Sequence, residues 1–372
     1  MIYDVTVMTP STISELTSTL QKLVAFQSIH TDIDQKSFCI DYIANQLSGD
    51  NLHLTRGQSD GLPWLVVTTQ DTKQPKLLLQ AHIDVVPAKS EQFTLTEDLD
   101  RLFGRGAYDM KFAAACYLQL IRDLNGVLDK YDFGLMFTSD EEVGGENGVG
   151  YLLDQGFGSE ICVIPDGGDN WILESECNGA WLVEIVAHGK SAHGSRPWEG
   201  ENAIDKLIDC LEKVRKVFPM NDHDKNTISI SRVIGGDAIN QVPAEARATL
   251  DMRFIDNDAY TAKRVDIESV VQNFDLDLET IARVDNVKVD TKQPEIENFM
   301  KIAENVRGKA IEYGRSYGAS DAHYFTSKGI PTILIRPEGG GAHSDQEWIS
   351  KQGLAQFYQV LNTYVREVAI ID

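Results

Sequence analysis

The sequence predicts an α/β protein built on a mainly parallel sheet, with a complete second domain of β-α-β-β-α-β order inserted into it. Three observations carry this expectation. Short continuous apolar runs alternate with helical periodicity through the first half. From Trp181 the pattern changes to alternating strands and two amphipathic helices. After about residue 292 the first pattern resumes. A chain of 372 residues also exceeds one ordinary hydrophobic core, so more than one domain is expected.

The strands of the first half are Trp64-Leu65-Val66-Val67, the run Lys76 to Ala81 leading into His82, Phe133 to Phe137, and Ile161 to Ile164. Runs this short and this apolar suit strands buried on both faces, as in a parallel sheet covered by helices. Between the second and third lies a helix, Lys111 to Leu124, with Ala114, Tyr117, Leu118 and Ile121 on one face. In the inserted stretch, Trp181 to Ala187, Thr227 to Val233, Ala246 to Phe254 and Leu278 to Val284 read as strands. Asn202 to Phe218 and Tyr260 to Phe274 read as helices, and the order is that of the ferredoxin-like unit. Helix Glu295 to Arg307, strand Thr332 to Arg336 and a terminal helix from Leu354 to about Val368 complete the chain. The expected domains are 1–177 and 293–372 for the two parts of the first, with 178–292 as the insert.

Composition narrows the function. At 42% hydrophobic and 24% charged the chain is ordinary for a globular protein. No apolar run approaches the ~20 residues that span a bilayer. Met1-Ile2-Tyr3-Asp4 lacks the basic start of a secretory signal, so a cytoplasmic location is the default expectation. A formal charge of −23 argues against nucleic acid and against anionic membranes as partners. The five cysteines are scattered without a C-x-x-C spacing, which suggests buried free thiols. Neither a Gly-x-Ser-x-Gly elbow nor a His-Glu-x-x-His helix is present, and Gly144-Gly145-Glu146-Asn147-Gly148 lacks the Lys-Ser/Thr of a phosphate loop.

The chemistry concentrates where apolar runs end. His82 and Asp84 follow the second strand; two residues apart on an extended chain, they would share a face. A histidine with a carboxylate beside its second nitrogen is a common metal ligand with its outer partner. Asp109 heads a helix, Asp140-Glu141-Glu142 and Asp166 follow strands, and His343 follows the last strand in Gly339-Gly340-Gly341-Ala342-His343. Ligands of open α/β sheets collect outside the carboxyl ends of strands, so these groups could converge. Two imidazoles and three carboxylates would suit a pair of zinc ions. Taken singly, Asp109 or Asp166 reads as a turn or helix N-cap, and the adjacent glutamates as a solvated loop.

The motifs His82-Ile83-Asp84, Gly106-Ala107-Tyr108-Asp109-Met110-Lys111, Asp140-Glu141-Glu142-Val143-Gly144-Gly145, Gly189-Lys190-Ser191-Ala192-His193 and His343 resemble, in order, those of a dizinc peptidase and deacylase family. That family includes aminoacylase, acetylornithine deacetylase, succinyl-diaminopimelate desuccinylase, glutamate carboxypeptidase and several dipeptidases. The resemblance implies two zinc ions per subunit, with cobalt or manganese as alternatives. It implies Asp109 as the bridge, His82 and Asp166 completing one site, and Glu142 with His343 the other. Asp84 would orient His82, Glu141 would be the general base, and the peptide after Asp109 would be cis.

The same resemblance assigns the insert as a lid and dimerisation domain, making the protein a homodimer whose His193 helps stabilise an oxyanion. Alone, His193 reads as a surface loop histidine. Asn240, Arg253, Gly318 and Ser320 resemble substrate-holding positions, and a guanidinium pairs well with an α-carboxylate. On local sequence Arg253 reads equally well as an exposed strand charge. Asp166, where the family's deacylases commonly have glutamate, tilts the expectation towards a dipeptide or short peptide end as the small substrate. An N-acyl amino acid deacylase is the alternative, and a non-catalytic binding protein of the same fold a remote one.

Overall fold

The computed structural model describes residues 10–47, 51–218 and 226–371; Met1–Asp4, read above for a secretory signal, lie outside them. The chain forms two compact units. The first comprises Met1–Glu176, Lys288–Ser316 and Ser320–Asp372; the second comprises Cys177–Val287 with Tyr317–Ala319.

The first unit is built on a six-stranded sheet in the order His53–Ser59, Leu62–Thr68, Phe133–Thr138, Leu77–His82, Ile161–Ile164, Thr332–Leu334. The last four run parallel, and their side chains are buried throughout. That is the mainly parallel sheet the apolar runs predict. The first two strands add an antiparallel hairpin at one edge, closed by Asp60-Gly61 with both φ positive, at 48° and 77°. An Asp-Gly pair favours such a two-residue turn because glycine adopts positive φ without a Cβ clash.

Helix Lys111–Asp123 lies on strand Leu77–His82 and packs against helices Pro10–Val24 and Lys351–Val368. Phe112 and Phe357 meet edge to face in that packing, with ring centroids 5.4 Å apart. A smaller antiparallel sheet contains Thr96–Asp98, Arg101–Phe103, Trp348–Ser350 and Gly339–Gly340. Its last connection, between Gly340 and Trp348, carries His343 and Glu347. Helix Lys351–Val368 starts before the expected Leu354 because Ser350 Oγ accepts the Gly353 N–H at 2.8 Å, a cap that extends the first turn.

The second unit has four strands ordered Thr227–Gly235, Glu245–Phe254, Gly179–His188, Asp277–Val284, every neighbour antiparallel. Helices Ala203–Val217 and Asn257–Asn273 connect them in ferredoxin-like order. Strand Glu245–Phe254 shows the cause of its burial: Ala246, Ala248, Leu250, Met252 and Phe254 alternate inward. They meet Trp181, Val183 and Ile185 of the adjacent strand and Leu207, Cys210 and Val214 of the first helix in one apolar core. Among the described residues, no helix is long and apolar enough to cross a membrane. All five cysteines are buried.

Candidate metal centre

Every residue expected at the chemical centre of the first unit lies at or near the end of one of its elements. His82 is the last residue of strand Leu77–His82 and is fully buried. Its Nδ1 lies 3.1 Å from the backbone carbonyl of Asp84 and 3.6 Å from the Asp84 carboxylate. An Nδ1–H donated to that carbonyl leaves Nε2 as the ligating nitrogen. Asp84 thus meets the outer nitrogen of the ring with both its backbone carbonyl, the nearer, and its carboxylate. Asp84 Oδ2 accepts the backbone N–H of Glu142 at 3.1 Å and so ties the acidic loop to the His82 strand.

Asp109 sits in the turn before helix Lys111–Asp123, and its peptide bond to Met110 is cis. Its Oδ1 is 3.5 Å from His82 Nε2, and its Oδ2 is 3.2 Å from His343 Nε2. One carboxylate thus faces both imidazoles. Glu141 and Glu142 form a single 3₁₀ turn, Glu141–Val143, after strand Phe133–Thr138. Glu142 Oε2 lies 3.2 Å from His343 Nε2. Asp140 supports the loop, its Oδ2 accepting the N–H groups of Asn147 and Gly148, each at 2.8 Å. Asp166 follows strand Ile161–Ile164, and its Oδ2 accepts a hydrogen bond from Ser320 Oγ at 3.2 Å.

These groups fall into two sets: His82, Glu141 and Asp166, and Asp109, Glu142 and His343, with the ligating atoms of each set within 4.8 Å of one another. His82 Nε2 and Asp109 Oδ1 are buried without a hydrogen-bond partner. Buried polar atoms are costly when unpaired, so a cluster of orphaned nitrogen and carboxylate donors fits a divalent cation. The electrostatics agree. Burial would lower the His82 pKa, but the Asp109 and Asp84 groups hold it well above the usual histidine value. His343 is pushed up to about 10 by Asp109 and Glu142. A field that holds protons on two imidazoles also favours positive charge between them. Burial, and then the Asp166 charge, raises Glu141 well above the usual carboxylate range.

Comparison with known proteins identifies the architecture. Residues 78–367 match the family described as Peptidase family M20/M25/M40. The chain belongs to that family. It is accordingly a hydrolase acting on amide bonds. It is 26% identical over 341 residues to a succinyl-diaminopimelate desuccinylase of Sulfurimonas denitrificans, covering 86% of this chain and 91% of that one. A tripeptidase from Staphylococcus aureus has the same fold at 19% identity and a TM-score of 0.77, covering 96% and 98% of the two chains. An M20 family metallo-carboxypeptidase from Sulfolobus solfataricus follows at 18% identity and a TM-score of 0.78, covering 95% and 99%.

Sequence reasoning gave no role to three charged residues around this M20-family centre: Glu347, Arg336 and Asp321. Glu347 is buried; its Oε1 accepts the N–H groups of Tyr108 and Asp109 at 2.9 and 3.1 Å, and its Oε2 accepts from Arg105 at 2.6 Å. It holds the turn that presents Asp109. Arg336, read only as the end of a strand, lies 3.2 Å from Asp109 Oδ1. Asp321 is buried with Oδ2 unpaired. Gly145 makes room for it: φ is +68° and a Cβ there would fall 1.9 Å from Asp321 Oδ1. Arg336 lies two residues past strand Thr332–Leu334, a strand exit of the kind that marks the other site groups, whereas the contacts of Glu347 span most of the chain.

The remaining expected residues belong to the second unit, apart from Ser320. His193 is exposed, with Nδ1 2.8 Å from Ser195 Oγ, and pairs through its backbone with Gln241. Asn240 lies beside it, its carbonyl accepting the Gly194 N–H at 2.7 Å. Arg253 is half-buried on strand Glu245–Phe254 and forks onto Asp251, with Nε and Nη2 at 2.7 and 2.9 Å from its two oxygens. Gly318 falls in the short segment Tyr317–Ala319.

Proposed function

We propose that the protein is a cytoplasmic, homodimeric dizinc peptidase that cleaves a dipeptide or the end of a short peptide. The observation that supports it is the gathering of His82, Asp109, Glu141, Glu142, Asp166 and His343 into two adjoining donor sets. Asp109 is the bridge, His82 and Asp166 the ligands of one position, and Glu142 and His343 those of the other. Two zinc ions there, or cobalt or manganese in their place, would acidify a water and polarise the scissile carbonyl.

Glu141 is not given a ligand's role. It is the general base: half-buried beside Asp166, its carboxylate accepts a proton from the water and releases it to the leaving amine. Asp84 acts by positioning, through its carbonyl on His82 and its carboxylate on the Glu142 backbone. His193 supports the oxyanion from the second unit, which serves as lid and dimer contact. Arg253, Asn240, Gly318 and Ser320 hold the substrate. For Arg253 this means exchanging Asp251 for a substrate carboxylate, a swap between equivalent two-pronged partners.

Asp166 favours the peptidase reading, since a shorter carboxylate leaves space and negative charge for a substrate amino group. The likeness to succinyl-diaminopimelate desuccinylases favours the second reading, an N-acyl amino acid deacylase. Parallel assays of dipeptides against N-acetyl and N-succinyl amino acids separate the two, and exclusive cleavage of acyl substrates would overturn the first. Absence of zinc on metal analysis, together with full activity of Glu141→Ala, would overturn both and leave a binding protein of this fold.

A further inference from the structure

Arg336 lies two residues past strand Thr332–Leu334, and both faces of its backbone are tied to the loop that carries Asp166. Its N–H donates to the Gly168 carbonyl at 3.1 Å, and its carbonyl accepts the Trp171 N–H at 2.8 Å. The guanidinium is buried over the Tyr108 ring, 5.0 Å from the centroid. Nη1 lies 3.2 Å from Asp109 Oδ1 and 3.9 Å from Asp166 Oδ1; Nε lies 3.2 Å from Asp169 Oδ1. Tyr108 donates its hydroxyl to the same Asp169 oxygen at 2.9 Å, which fixes the far side of the fork.

The cation therefore bears on one half of the centre. Asp109 Oδ1 and Asp166, which it touches, are the groups that face His82. Asp109 Oδ2 and Glu142 Oε2 lie instead against His343, each 3.2 Å from its Nε2. The Arg336 guanidinium is a fixed positive charge at any working pH. A divalent ion at the His82–Asp166 position would share its carboxylates with a fixed positive charge, while one at the Glu142–His343 position would not.

Resting on the dizinc reading above, we propose that Arg336 is a positioning residue that makes the two metal positions unequal, so that the Glu142–His343 position fills first and the His82–Asp166 position second and more weakly. The plainer role is that Arg336 only neutralises three crowded carboxylates. That role predicts a change in stability without a change in the ratio of the two affinities.

The test uses the full chain, stripped with a chelator and titrated with Zn²⁺ by calorimetry, with metal content measured after equilibrium dialysis. Wild type is expected to bind in two steps at least about tenfold apart. Arg336→Gln is expected to tighten the second step by about tenfold or more and leave the first nearly unchanged. Arg336→Lys keeps the charge and is expected to keep most of the gap. Asp169→Asn, at an exposed carboxylate, removes the Nε anchor, turns the charge more fully onto Asp109 and is expected to widen the gap. Two zinc ions with an unchanged ratio in both Arg336→Gln and Asp169→Asn would overturn this inference alone. A wild-type chain that bound no zinc would overturn the dizinc reading and this inference with it.

Discussion

The two units bury different things. Among the described residues, every buried charged side chain lies in the first: Lys36, Asp84, Arg105, Asp109, Lys111, Asp140, Asp321 and Glu347, together with the histidines His82 and His323. The second buries Asn178 and Asn226 as its polar residues and otherwise an unbroken apolar core from Trp181 to Leu276. Burying a charge costs several kcal/mol unless it is paired, so the first unit carries an expense that the second avoids. The difference separates the unit that gathers the buried charged groups from the unit whose interior is apolar and whose proposed functional groups, His193 and Arg253 among them, lie outside its core. It also says where substitutions should be felt as lost turnover and where as lost stability.

The largest effect should come from Glu141→Gln. Loss of a general base costs about 10²–10⁴ in rate, and the amide, nearly the same size, should leave the melting temperature close to that of wild type. Rates on the substrate found by the panel above, measured beside zinc content, check this. If turnover survived with zinc in place, the first unit's buried charges would not be serving catalysis in the way described.

Next is Glu347→Ala. It leaves Arg105 buried without its partner and frees two N–H groups of the turn that presents Asp109. Breaking a buried ion pair costs about 3–5 kcal/mol, to be read by denaturant unfolding. Zinc affinity should fall as well, because the bridging carboxylate loses its support. A loss of stability with zinc binding untouched would place Glu347 among purely structural groups.

In the second unit Leu250→Ala should cost about 2–5 kcal/mol, the usual range for emptying a buried leucine site. Leu250 is fully buried in the centre of the sheet. Its expected signature is the reverse of Glu141→Gln: a lower melting temperature with zinc content of the folded protein unchanged. Were the two signatures alike, the division between chemistry and stability would fail.

Much of this was legible in sequence, for a physical reason. A strand buried on both faces must be apolar throughout, so Leu77–His82, Phe133–Thr138 and Ile161–Ile164 announce themselves, and the polar residues at their exits stand out. Strand His53–Ser59 does not, because it lies at an exposed edge and carries almost no buried side chain. Helix Pro10–Val24 does carry a readable stripe in Leu16, Leu20 and Leu23. The contacts of Glu347 and Arg336 are a matter of tertiary structure: Asp109 meets residues more than two hundred positions away, and no local pattern encodes that.

The smallest effect sharpens the same division. Helix Asn257–Asn273 begins earlier than its apolar stripe suggests because Asp256 caps it, its Oδ1 accepting the Ala259 N–H at 2.6 Å. The bond lies at the surface, so an Ala259 N–H deprived of it can turn to water. Asp256→Ala should therefore cost only about 1 kcal/mol, visible as a small shift in the unfolding midpoint. A carboxylate accepting backbone N–H groups is the same device as Glu347 beneath Asp109, and the two differ chiefly in burial. If Asp256→Ala proved as damaging as Glu347→Ala, burial would not be what sets the worth of a polar contact here, and the contrast between the units would need another cause.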